Sequence, residues 1–397
     1  MSLNLDLPSA DGSRIERYTL REQAAIATAP RGTRFNRIAY SAAHVVSDPR
    51  AAIDPWLGAA IDWDATIAYR QRLWSLGLGV AEAMDTAQRG MGLDWATSLE
   101  LIRRSLDAAR DVPGARIASG SGTDHLAPDA AKSVDDVIRA YEEQMAAIEK
   151  LGGRLIVMAS RALARVARSP ADYERVYDRV LRQARQPVIL HWLGDMFDPA
   201  LAGYWGSADL SRAMDTALAV IEANAAKVDG IKISLLDKDR EIEMRRRLPP
   251  NVRMYTGDDF NYAELIAGDG IGSQPNQRHS DALLGIFDAI APAASAALAA
   301  LAAGDEARFH AILAPTVPVS RHIFQAPTRY YKTGVVFMAW INGHQSHFTM
   351  VGGQQSARSL AHLAELFRLA DAAGLIERPD VAVGRMRSLL ALHGIGD

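Results

Sequence analysis

The chain has 397 residues, 49% of them hydrophobic and 23% charged, with a formal net charge of −3 and no cysteine. That length and apolar fraction allow a large core and argue against a disordered chain. The charge balance leaves no electrostatic footprint for nucleic acid, and the missing thiols exclude disulfides, thiolate nucleophiles and Cys-bound zinc or iron–sulfur centres.

Met1 to Leu20 is polar and lacks the apolar centre of a secretion signal. No run approaches the roughly 18 apolar residues of a membrane span. The expectation is a soluble cytoplasmic protein with no membrane or nucleic-acid partner. Short β-branched or apolar runs then alternate with helical patterns. The predicted strands are Arg37 to Ser41, Gly77 to Ala83, Ala115 to Ser119, Arg154 to Ala159, Pro187 to His191, Val228 to Ser234, Arg253 to Thr256 and Gly270 to Ser273. Between them lie helical segments at Asp64 to Leu76, Ser98 to Arg110, Ser133 to Leu151 and Ala171 to Gln183. Eight such runs predict an α/β fold, a (β/α)8 TIM barrel, which needs about 250 residues. A doubly wound open sheet competes, but no Gly-x-Gly-x-x-Gly turn follows the first strand. Beyond Ser273 only helices are predicted: His279 to Ile290, Ser295 to Leu313, Arg321 to Ile341, Ser356 to Ala373 and Val381 to His393. The predicted layout is an N-terminal segment 1–32, a barrel over 33–278 and a helical extension over 279–397 packed on the barrel.

Lys232 stands out inside the apolar run Val228 to Leu236 (VDGIKISLL). Burying an ammonium group costs several kcal/mol unless it is paired. A lysine in such a place either runs its stem along the core to reach water or works as a neutral amine that attacks carbonyl carbon. In a barrel, reactive groups gather where strands end. Those positions here hold Tyr40, Glu82, Asp85, Thr86, Asp124, His125, His191, Ser234, Asp258, Ser273 and Asn276. Carboxylates and imidazoles near a lysine suit proton transfer on a hydroxylated substrate. Asp258 and Asp259 could equally start the following helix as caps. Glu82, His125, His191 and Asp258 could instead hold a divalent metal, and His344-x-x-His347 has ligand-like spacing. The loop after strand seven is acidic, which disfavours a phosphorylated substrate.

Around Lys232 the chain resembles the dihydrodipicolinate synthase/N-acetylneuraminate lyase family of class I aldolase-type barrels, as a divergent branch. Gly230-Ile-Lys232 is similar to the strand that carries the family's Schiff-base lysine. Met254-Tyr-Thr-Gly-Asp258 is similar to its Ser-Gly-Asp-Asp segment, Gly270-Ile-Gly-Ser273 to its Gly-Val-Ile-Ser, Gly120-Ser-Gly-Thr123 to its Gly-x-Gly-x, and Ala326 to Lys332 (APTRYYK) to its Asn-Pro-x-x-x-Lys. The resemblance implies a lyase with Lys232 as the Schiff-base residue, a small-molecule carbonyl substrate, no cofactor, and a homodimer or homotetramer. Two departures bear on mechanism. The family's relay tyrosine after strand five gives way to His191-Trp-Leu-Gly194, so His191 is expected to move protons with Thr86, and with Tyr40 as a further candidate. Its carboxylate cradle after strand two gives way to Met84-Asp-Thr-Ala-Gln88, where Asp85 would repel a 2-keto acid and favour a keto-sugar or aldehyde. Glu82, Asp85, Asp124 and His125 are expected to contact substrate hydroxyls, and Asp195 to Asp209 reads as an insertion that could form a lid. A metal-assisted sugar isomerase or hydrolase, and a sugar-binding barrel without turnover, are the alternatives.

Overall fold

The computed structural model describes residues 3–22 and 26–395, which fall into two compact units. Residues 37–43 and 78–284 form one; residues up to 36, 44–77 and from 285 onward form the other.

The first of these is built on a barrel closed by eight parallel strands: β3 (Ala39–Ala42), β4 (Gly79–Glu82), β5 (Ile117–Ser121), β6 (Leu155–Val157), β7 (Val188–Leu193), β8 (Val228–Ser234), β9 (Arg253–Thr256) and β10 (Asp281–Leu284), with β10 pairing β3. The first two strands in the chain, β1 (Asn4–Pro8) and β2 (Ile15–Thr19), form a separate antiparallel hairpin in the other unit. Side chains alternate across a strand. One set, including Tyr40, Ala42, Ala81, Ala118, Ile156, Ile189, Tyr255 and Leu283, forms a single buried cluster.

Seven helices follow barrel strands within this unit: α2 (Trp95–Arg110), α3 (Val134–Lys150), α4 (Arg161–Val166), α5 (Pro170–Gln183), α6 (Leu210–Ala223), α7 (Lys238–Arg247) and α8 (Tyr262–Ala267). Their starts are set by short polar side chains that satisfy free backbone N–H groups. Asp94, Ser133, Ser160, Asp209 and Asp237 each accept from the first turn, and Ser133 forms a reciprocal capping box with Asp136. On α3, Val137, Tyr141, Gln144, Met145 and Ile148 repeat at helical spacing and are buried.

The other unit holds α1 (Trp63–Ser75), between β3 and β4 in the chain, and a helical run: α9 (Ile286–Ala289), α10 (Ala291–Ala302), α11 (Glu306–Leu313), α12 (Thr316–Ile323), α13 (Tyr331–Ile341), α14 (Leu360–Ala372) and α15 (Pro379–Leu392). Strand β1 packs against α14 and α15. Two predicted helices are each broken in two. The stretch expected over Ser295 to Leu313 turns at Gly304, with φ +81°, and that over Arg321 to Ile341 is interrupted at residues 324–330.

The predicted eighth strand is misplaced. Gly270 to Ser273 lies in a loop with Gly270 and Gly272 at φ +67° and +153°, and the strand is Asp281–Leu284, read from sequence as the start of a helix. A short buried run without β-branched residues gives no period that separates strand from helix. The barrel therefore extends beyond the boundary expected at residue 278.

The insertion over Asp195 to Asp209 is not a free flap. Trp205 is fully buried, stacked on Tyr177 with ring centroids 4.6 Å apart and flanked by Tyr173, Trp192 and Tyr204. Tyr204 Oη accepts from the Ser160 N–H at 3.0 Å, and Asp198 pairs with Arg161 at 2.5 Å. Truncating so large a buried ring removes its transfer free energy and leaves a cavity. Trp205→Ala is expected to lower unfolding free energy by about 3–5 kcal/mol, read by urea titration.

Candidate active site

Register places Lys232. In parallel pairing, Ile189 lies opposite Gly230 and His191 opposite Lys232, while Lys232 lies opposite Tyr255. Ile189 and Tyr255 belong to the buried interior cluster, so His191 and Lys232 face the same interior, at 2% and 4% exposure. Below them the space is filled. A Cβ on Gly230 would lie 2.7 Å from the Tyr255 ring, and one on Gly79 would lie 2.7 Å from Tyr40. The Tyr255 hydroxyl donates to Asp229 at 2.6 Å, where β8 begins. Tyr40 is directed to the same end: burial raises its pKa, and the charges acting on it are Arg154, Asp229, Arg116 and Asp281, all at strand starts. Tyr40 is therefore no partner for a proton at the opposite mouth.

Two glycines set the walls beside Lys232. A Cβ on Gly257 would lie 2.4 Å from the Ile233 carbonyl oxygen, 2.4 Å from Ser234 Oγ and 2.8 Å from Lys232 Cε. Gly194 donates its N–H to the Ser234 carbonyl at 2.9 Å. Ser234 Oγ lies 3.3 Å from His191 Nε2. Among the described residues no hydrogen bond or ion pair engages the Lys232 amino group. Burial, and then the charge of Lys232, push the His191 pKa down to about 3, while Asp85 acts in the opposite sense. The imidazole is neutral near neutral pH, lower than the near-neutral proton donor expected from sequence.

The other expected residues divide sharply. Asp85 and Thr86 sit on a single 3-10 turn after β4, with Thr86 buried, and the influence of Asp85 on His191 puts it at the Lys232 end. Glu82 instead turns outward, accepting from Ser105 Oγ on α2 at 2.6 Å. Asp124 accepts from Arg89 Nη2 at 2.7 Å and Nε at 3.1 Å, and from Gln144 Nε2 at 3.0 Å. Burial opposes its charge, but Arg89 and Gln144 keep its carboxyl below the ordinary range. His125 joins the same network through Gln144 at 2.8 Å and reaches Glu143 at 3.3 Å. Arg89, missed in the sequence, also donates to the Gly120 carbonyl and so ties the loop after β4 to strand β5. Its only signal was one guanidinium in a loop, which nothing in the local pattern marks as buried.

Asp258 is not the N-cap considered for it, which is Asn261, but holds the turn that leads into α8. Its carboxylate accepts from the N–H groups of Phe260 and Asn261 at 2.8 and 3.0 Å and from Asn261 Nδ2 at 2.7 Å. Ser273 and Asn276 do not belong with the site. They lie before β10, at the end where strands begin; Ser273 donates to Gln277, and Asn276 Nδ2 donates to the carbonyls of Pro249 and Val252 ahead of β9. The four residues offered as metal ligands are thus dispersed, and among the described residues no group of three or more His, Asp or Glu side chains could hold a metal ion. His344 and His347 also part: His344 meets Glu377 at 2.8 Å, whereas the charges acting on His347 are Asp62 and Asp48.

The barrel is a fold shared with solved dihydrodipicolinate synthase structures. The chain is similar to YagE, a prophage protein of the dihydrodipicolinic acid synthase family from E. coli K12 in complex with pyruvate, at 13% identity, TM-score 0.65, covering 86% of this chain and 99% of that one. It is similar to the dihydrodipicolinate synthase of Cyanidioschyzon merolae with lysine bound, at 14% identity and TM-score 0.61, covering 85% and 98%. The Bacillus anthracis enzyme matches at 14% identity and TM-score 0.58, covering 78% and 90%. At that identity the likeness is one of fold. The chain itself belongs to the family described as "Protein of unknown function (DUF993)", which matches residues 5–395. No curated protein matches it. Among the described residues no helix is long and apolar enough to cross a membrane.

The depressed His191 pKa makes stability pH-dependent. Between its ordinary value of 6.5 and about 3 the unfolded chain binds a proton that the folded chain does not, so stability is complete above pH 6.5 and is lost as pH falls. The expected loss from this residue is about 2 kcal/mol between pH 6.5 and pH 5. Denaturant titrations across that range should show it, and His191→Asn should remove that share, leaving the comparable slopes of His279 and His362, also pushed down by burial.

Proposed function

We propose that this protein is a Schiff-base-forming lyase that acts on a small neutral carbonyl compound, a keto-sugar or an aldehyde, through Lys232. The observation that carries the reading is the placement of Lys232: inward on β8, almost wholly buried, without an acidic partner among the described residues, and with its stem held against Gly257. An amine in that setting has carbonyl carbon as its natural reaction partner.

In the proposed sequence the Lys232 amine adds to the substrate carbonyl, and loss of water from the carbinolamine gives an iminium. In cleavage the β-hydroxyl gives up its proton, the Cα–Cβ bond breaks with its electron pair passing to the iminium nitrogen, the β-carbon leaves as a second carbonyl compound, and the enamine left on the lysine takes a proton at Cα. In dehydration the Cα proton is removed to give the enamine, which expels the protonated β-hydroxyl as water and becomes an unsaturated iminium. In either case water then hydrolyses the iminium, releasing the product and regenerating the amine. His191 and Ser234 are the assigned proton carriers. A neutral imidazole 3.3 Å from a hydroxyl can take a proton through that hydroxyl and return it. Thr86 is assigned to orient the substrate from the turn after β4.

Asp85 argues against a 2-keto acid as the preferred substrate. Its charge is felt at His191, and a second carboxylate brought there would meet like-charge repulsion. YagE carries pyruvate in its structure, yet the turn here bears an acid.

Borohydride reduction in the presence of keto-sugars, simple aldehydes and pyruvate tests the reading by intact mass and peptide mapping. The expected result is a reduced adduct on Lys232, absent in Lys232→Ala. Failure of every carbonyl compound to label Lys232 would overturn it. Asp85→Asn is expected to raise the yield with pyruvate by about tenfold relative to a neutral carbonyl, since about 1.4 kcal/mol of relieved repulsion corresponds to that factor.

A further inference from the structure

Glu241 is a buried acid that the proposed reaction leaves unused. It stands on α7 at 1% exposure, in the same unit as the barrel. Its Oε1 accepts from Ser280 Oγ at 2.7 Å, while among the described residues its Oε2 meets no partner. A carboxylate taken out of water needs donors on both oxygens to keep its charge. The neutral acid loses far less there, since a single hydroxyl goes unmatched.

The surroundings favour the same form. Burial pushes the Glu241 carboxyl up to about 8, and the charge of Asp258 adds to the rise; Ser280, Thr256 and Arg245 act the other way. Other charged side chains on and around α7 pair elsewhere. Asp269 meets Arg245 and Arg246, Asp215 of α6 meets Arg247, Glu243 meets Arg240, and Glu264 of α8 meets Lys238.

Helix α7 packs on β9, and Glu241 lies against the end of that strand. Thr256 Oγ1 accepts from the Asp258 N–H at 3.2 Å, and the Asp258 carboxylate holds the N–H groups of Phe260 and Asn261. Between them Gly257 donates its N–H to the Ile233 carbonyl at 2.9 Å, and a Cβ on it would lie 2.8 Å from Lys232 Cε. Thr256 and Asp258, which both act on Glu241, are thus the two residues that flank the glycine wall of the lysine.

We propose that Glu241 is a positioning residue: as a neutral acid it lets residues 256–258 sit close beside Lys232, and as a carboxylate it drives that turn off the lysine stem. The consequence for reactivity rests on the Schiff-base reading; the effect on the turn does not. The sign follows from linkage. Opening the turn to water returns the carboxyl to its ordinary value of 4.5, so opening is favoured as pH rises from 4.5 to about 8 and levels off there. Above about 8 the folded protein itself carries the carboxylate.

Two measurements on the full chain, wild type beside Glu241→Gln, test this. The first is amide hydrogen exchange over residues 253–261, read by mass. The ratio of wild-type to variant exchange is expected to climb about tenfold or more between pH 5.5 and pH 7.5. The second is labelling of Lys232 by dihydroxyacetone and cyanoborohydride, which delivers hydride to the iminium carbon. The wild-type yield relative to the variant is expected to fall about tenfold from pH 7.5 to pH 9, as acid gives way to carboxylate. Ser280→Ala, which takes the donor from Oε1, is expected to move the end of the climb and the fall to higher pH, and it serves if Glu241→Gln does not fold. An exchange ratio that stays level with pH overturns the proposal whether or not Lys232 labels. Labelling with the same pH profile in wild type and variant overturns the link to Lys232. Exchange that responds while Lys232 labels at no pH supports the role of Glu241 in the turn and overturns the Schiff-base reading instead.

Discussion

The pairing register among β7, β8 and β9 is the constraint on which the site depends. Side chains alternate with a period of two, so a slip of one residue would turn Lys232 out toward the helices and bring Ile231 or Ile233 inward. The register is held from both sides: His191 and Tyr255 flank Lys232 at the same level, and each neighbouring strand continues with a glycine close to the end of β8. Gly257 matters most, because a methyl group there would overlap a carbonyl oxygen, a hydroxyl and the lysine stem at once. The lysine is thus kept in place by backbone geometry rather than by an ionic partner. That leaves its nitrogen available, whereas a buried salt bridge would have claimed it.

A barrel was legible in the sequence because seven of its strands fall on short apolar or β-branched runs that alternate with helical patterns, and Val228–Ser234 and Arg253–Thr256 match their predicted limits. The eighth strand was not legible. Asp281-Ala-Leu-Leu looks like any buried segment, and the glycines of residues 270–272 drew the prediction to a loop. That displacement carried Ser273 and Asn276 to the wrong end of the barrel. The N-terminal hairpin went unread because its partners are in α14 and α15, far along the chain.

Within the site, a single residue type in an apolar run was enough to mark Lys232 and His191, since a polar group among buried neighbours needs a reason to be there. Carboxylates were harder to sort. Glu82, Asp124 and Asp258 all sit at or near strand ends, and only their partners show which way each is turned. Those partners, Ser105, Arg89 and the backbone around Phe260, come from helices and loops whose approach no local pattern encodes. The aromatic insertion was misread for a related reason. Its tyrosines and tryptophans suggested a cover for substrate, but they find one another and Tyr177 first.

The division of labour among the acids limits the chemistry this end of the barrel can support. Asp124 is neutralised by Arg89, Asp258 is occupied by three N–H donors, and Glu82 faces α2. Near Lys232 lie a neutral imidazole, the Ser234 hydroxyl, and the turn that carries Asp85 and Thr86. Such a set is poor in strong acids and bases. It can shuttle protons but offers little to stabilise a carbanion directly, because a neutral imidazole stabilises negative charge far less than a cation does. In the proposed reaction an electron sink formed on the lysine itself would supply that missing stabilisation, since the positive charge would arise at the bonded nitrogen when the carbonyl compound is captured. On that proposal the sparse surroundings and the buried amine are one arrangement: the fewer charges the walls contribute, the more a reaction here would rest on the covalent adduct.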